Sequence, residues 1–325
     1  MTDPTSSTPQ LANPMAATDD VATQARGRMH DYKKLVKPGI ARMVVITTAI
    51  GFFLAHRMGY THWTWLGFIG VLAGTGLSCM AASVFNQAWE RKVDALMPRT
   101  ARRPLAAGRM PLSEALALGA TLTLLGQGLV CLCGTALASA LAAGTIAGYV
   151  FIYTPLKKHT RAALYLGGIP GAIPPLIGYA AVTDTLFDKA SLAAWALFAI
   201  MFVWQLPHFL AIGWLYKDDY AAGGMHMHAV LDPSGRTSYL ESIVWCVLLL
   251  PLGALPTFLG FAGYISLAVT LVAGLGFLWM AIQWMQHANN PNNTPDQIRS
   301  AARKMFFASL IYLPVVLGAI MLDAR

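Results

Sequence analysis

The sequence predicts an all-α, multi-pass membrane protein made of nine transmembrane helices, and three observations carry that prediction. Of its 325 residues, 56% are hydrophobic and only 12% charged, where a soluble domain carries about a quarter charged residues. Mean hydropathy is +0.53. Apolar stretches close to the ~20 residues that cross a bilayer recur at roughly 39–56, 64–88, 112–131, 134–154, 162–182, 190–215, 237–259, 262–286 and 302–322. All but Arg57, Lys189 and Arg325 of the 23 Lys and Arg residues then fall on one side of the membrane. The positive-inside rule makes that side cytoplasmic, with a cytoplasmic N-terminus and the C-terminus opposite. The net charge of +8 sits in membrane-facing loops and requires no nucleic acid.

The first 25 or so residues are rich in Ser, Thr, Pro, Asn, Ala and Asp and lack an apolar run. They read as a disordered cytoplasmic tail, drawn as residues 1–31, rather than a cleaved signal. Residues 32–325 read as one intramembrane domain. Its second span runs into the polar stretch from Asn86 to Pro104. There Asn86, Glu90 and Asp94 stand four residues apart, so on a helix they share one face, about 6 Å apart along the axis. Arg99, Arg102 and Arg103 follow. Carboxylates that hold a metal beside cations that hold phosphate oxygens suit a Mg²⁺-bridged diphosphate. The plainer alternative is a positively flanked helix end at the membrane surface.

Spans three and four carry Cys131 and Cys133, whose separation turns them to different helix faces and suits them poorly to one metal. With Cys79 and Cys246 they read as small core residues, without disulfides. Span four ends in Tyr153-Thr-Pro-Leu-Lys157. Tyr153 and Lys157 either converge on a phosphate or serve as interface anchors. Span five, from Gly167 to Gly178, holds so many helix breakers that it reads as a kinked helix lining a cavity; close packing on glycine is the other reading. Span six carries His208, either a metal or haem ligand or a histidine satisfied by a neighbouring helix. The loop after it contains Asp218, Asp219, His226 and His228. Ionisable groups at membrane depth are functional candidates by default. If helices two and six are neighbours, Glu90, Asp94, Asp218 and Asp219 face one cavity, and their repulsion calls for Mg²⁺. Otherwise Asp218 and Asp219 pair with Lys217 among the lipid headgroups. Three further spans complete the nine.

Taken together these residues resemble the UbiA-type intramembrane prenyltransferases, most nearly their haem-farnesylating branch. The resemblance rests on Asn86, Glu90, Asp94, Met97, Arg99, Thr100, Arg103 and Pro104; on Tyr153 to Lys157; on Gly171 to Gly178; on Pro207, His208, Phe209, Asp219 and Tyr220; and on Lys37-Pro38. It covers about residues 32–325. It implies a helical bundle around a central cavity closed by a cytoplasmic cap, in a bacterial cytoplasmic (inner) membrane. The implied reaction moves the farnesyl group of farnesyl diphosphate to a vinyl group of haem B, with water addition, giving haem O for haem A synthesis. Haem B is then a substrate, Mg²⁺ the cofactor, and a haem A synthase the recipient of the product.

The resemblance assigns catalysis to Asn86, Glu90, Asp94 and Asp219, and metal binding to Glu90, Asp94, Asp218 and Asp219. Arg99, Arg103, Lys157, Tyr153 and Lys37 would face the diphosphate, and His208 the haem, with His159, His226 and His228 as further candidates at the rim. Superfamily members often pair two acids four residues apart in the second motif, whereas this chain has Leu215 four before Asp219. An aromatic prenyltransferase of quinone biosynthesis and a transporter are the alternatives.

Overall fold

The computed structural model describes residues 27–61 and 63–325, and these are helical with no sheet. A short helix α1 (27–36) precedes α2 (Pro38–Arg57), α3 (Trp65–Asp94) and α4 (Leu112–Cys133). Next come α5 (Ala136–Ala147), a π turn over Gly148–Tyr153, and α6 (Thr154–Leu156). α7 (Ala163–Ala172) and α8 (Pro174–Thr183) form one broken span, followed by α9 (Leu192–Leu215), α10 (Lys217–Ala222) and α11 (His228–Leu231). The chain closes with α12 (Arg236–Phe258), α13 (Tyr264–Asn289) and α14 (Pro295–Leu322).

Nine helical segments among the described residues are long and apolar enough to cross a membrane, in the expected places. Helix starts follow from local chemistry. Thr64 and Thr135 accept from the backbone N–H groups of Gly67 and Ala138 at 3.0 and 3.1 Å, and Thr294 closes a capping box with Gln297. Each satisfies donors that a helix start leaves unpaired.

Packing depends on small residues. A Cβ built at Gly51 would lie 1.9 Å from the Pro175 carbonyl oxygen, and one at Gly178 would lie 1.9 Å from that of Thr48. The backbones of α2 and α8 therefore touch where only glycine fits. The glycine-rich fifth span is thus closely packed and also kinked, bending at Ile173 between α7 and the Pro174-Pro175 start of α8. Gln205 of α9 donates to the Gly168 carbonyl beside this bend at 2.6 Å. One core gathers around Phe52, Leu176 and Tyr179, and a second around Ile200, Phe277 and Trp284.

Two differences from the sequence reading bear on function. Residues 1–26 of the expected tail lie outside the described residues, but 27–31 belong to α1. Arg28 and Tyr32 bond Glu114 at the start of α4, and Arg109 Nη2 reaches Asp31 at 2.7 Å. The Arg109 guanidinium holds the Asp31 carboxyl below its ordinary pKa. Helix α3 also continues past its expected end at 88 as far as Asp94, so the acid row is helical over its whole length. All four cysteines are free.

Candidate active site

The last turns of α3 position the first group of residues. Asn86, Glu90 and Asp94 face inward, at 2, 5 and 1% exposure. A buried carboxylate is costly without a partner, and each acid has one. Lys157 Nζ lies 2.7 Å from Glu90 Oε1, and Arg103 Nη1 donates to both Asp94 oxygens at 2.7 Å. Asn86 Nδ2 donates to Glu90 Oε2 and to Thr154 Oγ1, each at 3.1 Å.

The opposing wall comes from the end of the fourth span. The π turn opens the backbone ladder just before Thr154, and the Thr154 hydroxyl donates to the Tyr149 carbonyl at 2.8 Å. Single π turns are frequent at functional sites. Lys157 lies with its ammonium 4.7 Å from the Tyr153 ring centre. Burial works against the charge on Lys157, but the adjacent Glu90 carboxylate outweighs it and raises its pKa. Lys37 joins from the start of α2, in a left-handed conformation with φ 49°. Desolvation first, then Arg103 and Lys157, push its pKa down to about 8, opposed by Glu90 and Asp94.

The second acidic group arrives by a different route. α3 and α9 are not one of the packed helix pairs of the bundle, so the carboxylates do not meet through neighbouring helices. The connecting segments bring them together. The Arg99 backbone N–H donates to Asp219 Oδ1 at 3.2 Å, and Arg99 Nε lies 4.0 Å from Asp219 Oδ2. The Arg99 guanidinium covers the Tyr216 ring, 4.8 Å from its centre. Beneath this contact Gly223 packs on Met97 and Val93, while the His226 N–H donates to the Lys157 carbonyl at 3.1 Å.

Of the candidates from the sequence, Asn86, Glu90, Asp94, Arg103, Lys157, Tyr153 and Lys37 gather at one place, with Arg99 and Asp219 at its edge. Asp218 does not join them. It is exposed and makes none of these bonds. Leu215 leaves no acid one turn before Asp219. His208 also stands apart: its Nδ1 shares a 2.7 Å hydrogen bond with Ser309 Oγ of α14, and its ring stacks on Trp204 with centres 5.4 Å apart. Those contacts join α9 to α14 at His208. Of the rim histidines, His228 lies 3.4 Å from Glu241, outside the site.

Sequence reasoning missed Thr154 and Tyr149. Tyr149 lies against Tyr153 with the rings tilted by 38° and their centres 5.2 Å apart, and its position four residues earlier was the available signal. Thr100 and Met97 turn out to be supports. Thr100 Oγ1 donates to the Asp94 carbonyl at 2.9 Å, and Met97 is buried against the cap.

No group of three or more His, Cys, Asp or Glu side chains among the described residues is arranged to hold a metal by itself. The donors that do converge are oxygens, from Glu90, Asp94 and the Asn86 amide. That set fits Mg²⁺, which keeps several waters and is bound through one or two carboxylates plus substrate phosphates.

Comparison with known proteins shows the family and the fold. A family model described as the UbiA prenyltransferase family matches residues 44–310. A protoheme IX farnesyltransferase of Solibacter usitatus is 36% identical over 301 residues, 91% of this chain and 99% of that protein. Among solved structures, one of a study of digeranylgeranylglyceryl phosphate synthase superposes with a TM-score of 0.71 at 18% identity, over 91% of this chain and 98% of its own. A UbiA homolog from Archaeoglobus fulgidus bound to DMAPP and Mg²⁺ gives 0.59 at 12% identity, over 89% of this chain and 99% of its own.

Proposed function

The chain belongs to the UbiA prenyltransferase family, and on that premise we propose that it joins the farnesyl group of farnesyl diphosphate to a vinyl group of protohaem. The observation that carries the donor half is the buried row of Asn86, Glu90 and Asp94, with a cation already beside each acid. The acceptor half is supported by the Solibacter usitatus relative, named protoheme IX farnesyltransferase and matched along nearly its whole length.

Lys157 and Arg103 neutralise Glu90 and Asp94. A bound diphosphate offers both cations new oxygens, and charge-assisted contacts with phosphate are among the stronger polar contacts available. Glu90, Asp94 and Asp219, with Asn86, would hold Mg²⁺, which would further neutralise the leaving diphosphate. Lys157, Arg103, Lys37 and Arg99 stabilise the charge that develops as the bond from farnesyl C1 to oxygen breaks. Tyr149 and Tyr153 line the side of Lys157 with aromatic faces and limit the access of water to the allylic cation.

The vinyl carbon of haem then bonds to farnesyl C1. Water adds to the resulting cation and loses a proton, leaving a hydroxyethylfarnesyl side chain, as in haem O. Asp218 lies outside this cluster, and His208, on α9, is proposed as the acceptor-side residue. The basic end of the bundle faces the cytoplasm of a bacterial inner membrane in this reading, and the product passes to an enzyme that forms haem A.

The test incubates membranes containing the protein with farnesyl diphosphate, haem B and Mg²⁺, and looks for the farnesylated haem by chromatography. Prenylated hydroxybenzoate without any new haem would assign the acceptor to quinone synthesis instead.

A further inference from the structure

The acid row occupies one face of α3. On another face lies a groove of about 700 Å³ bounded by α3, α4, the end of α5 and the π turn, a size within the ~300–1,000 Å³ typical of ligand pockets. The small side chains of Ala88, Ala120 and Thr123 leave it open. Trp89, Leu124 and Phe151 stand around it at 52, 75 and 66% exposure. These helices cross the bilayer, so the groove opens onto lipid.

One charged residue lines it. Arg91 stands in the basic last turn of α3, and its Nη1 donates to the Ala88 carbonyl at 3.0 Å. No carboxylate among the described residues lies within ion-pair distance of it, whereas Arg28, Arg103 and Arg109 are paired with Glu114, Asp94 and Asp31. An apolar slot in the hydrocarbon with one cation at its polar end matches an anionic head on an apolar chain. Farnesyl diphosphate is better served by the several cations on the other side of α3.

We propose that this groove binds one anionic glycerophospholipid, with an acyl chain along α3 and α4 and its phosphate on Arg91. The bound chain would pack on Phe85 and Val150, directly behind Asn86 and Thr154.

The full chain, purified in mild detergent and given equal amounts of phosphatidylglycerol and phosphatidylcholine, would be examined by native mass spectrometry. One phosphatidylglycerol should be retained in preference to phosphatidylcholine. Arg91→Gln should lower that preference about five-fold, the order expected for one cation at an anionic membrane surface. Ala120→Trp should fill the groove and remove the retained lipid. Thr123→Phe does the same with a smaller intrusion, should the first variant unfold. Equal retention of the two lipids, an unchanged preference in Arg91→Gln, or a dimer that Ala120→Trp dissociates without altering bound lipid would each overturn the proposal.

Discussion

The two acidic regions differ in what holds them. Asn86, Glu90 and Asp94 lie on a helix of 30 residues, at most 5% exposed, and each carboxylate faces its own cation. Asp218 and Asp219 sit on a helix of six residues that buries none of them. There Asp219 is held by the Arg99 main chain, and Asp218 stays exposed. A rigid buried row fixes geometry before substrate arrives. A short helix docked through a neighbouring loop can adjust as substrate binds, because few buried contacts oppose its movement.

Substitutions in the rigid row break this comparison most severely. Glu90→Gln and Asp94→Asn keep size but remove charge, and each is expected to lower farnesyl transfer by about 10²–10³-fold, the scale of losing one preorganised electrostatic contact. Asp94→Asn also strips Arg103 of its partner, so its thermal unfolding in detergent should be measured alongside. Asp219→Asn should follow, near ten-fold or about 1.4 kcal/mol, while Asp218→Asn should stay close to wild type. Equal losses at the two neighbouring positions would show that α10 turns over when substrate binds.

Gly223→Val comes next. A Cβ there would lie 3.0 Å from Met97 Sδ and 3.2 Å from Val93 Cγ1, lifting α10 from α3. A rise in KM with kcat little changed is expected, because the cap is displaced and the acid row is not.

The smallest effect concerns pH. Lys37 is charged below about pH 8 and neutral above it, so kcat/KM for farnesyl diphosphate, which reports the free enzyme, should fall a few-fold as pH rises through that value. Lys37→Met should abolish this limb of the profile. A limb that persists in the variant would place the titration elsewhere.

Much of this architecture was legible because hydrocarbon imposes a simple length rule on the chain. The nine spans, the four-residue spacing of the acids and the clustering of cations at one end all follow from residue types counted along the sequence. Features that depend on distant partners were hidden. Polar helix α1 carries no apolar run, and what pins it is Glu114 and Asp31–Arg109 pairing across more than one element. The partner of His208 is Ser309, 101 residues away. Adjacent Asp218 and Asp219 look equivalent as letters, yet neighbouring helix positions point about 100° apart, and only one reaches Arg99. The π turn is a choice of backbone register that the residues from Gly148 to Tyr153 do not announce.

The pairing of Glu90 with Lys157 and of Asp94 with Arg103 has a consequence for selectivity. A lone anion that draws Lys157 or Arg103 away leaves a buried carboxylate uncompensated, and a lone divalent cation does the same to a buried base, so either enters at a cost. A metal ion and a diphosphate together would compensate both halves of each pair, which favours the two in combination over either alone.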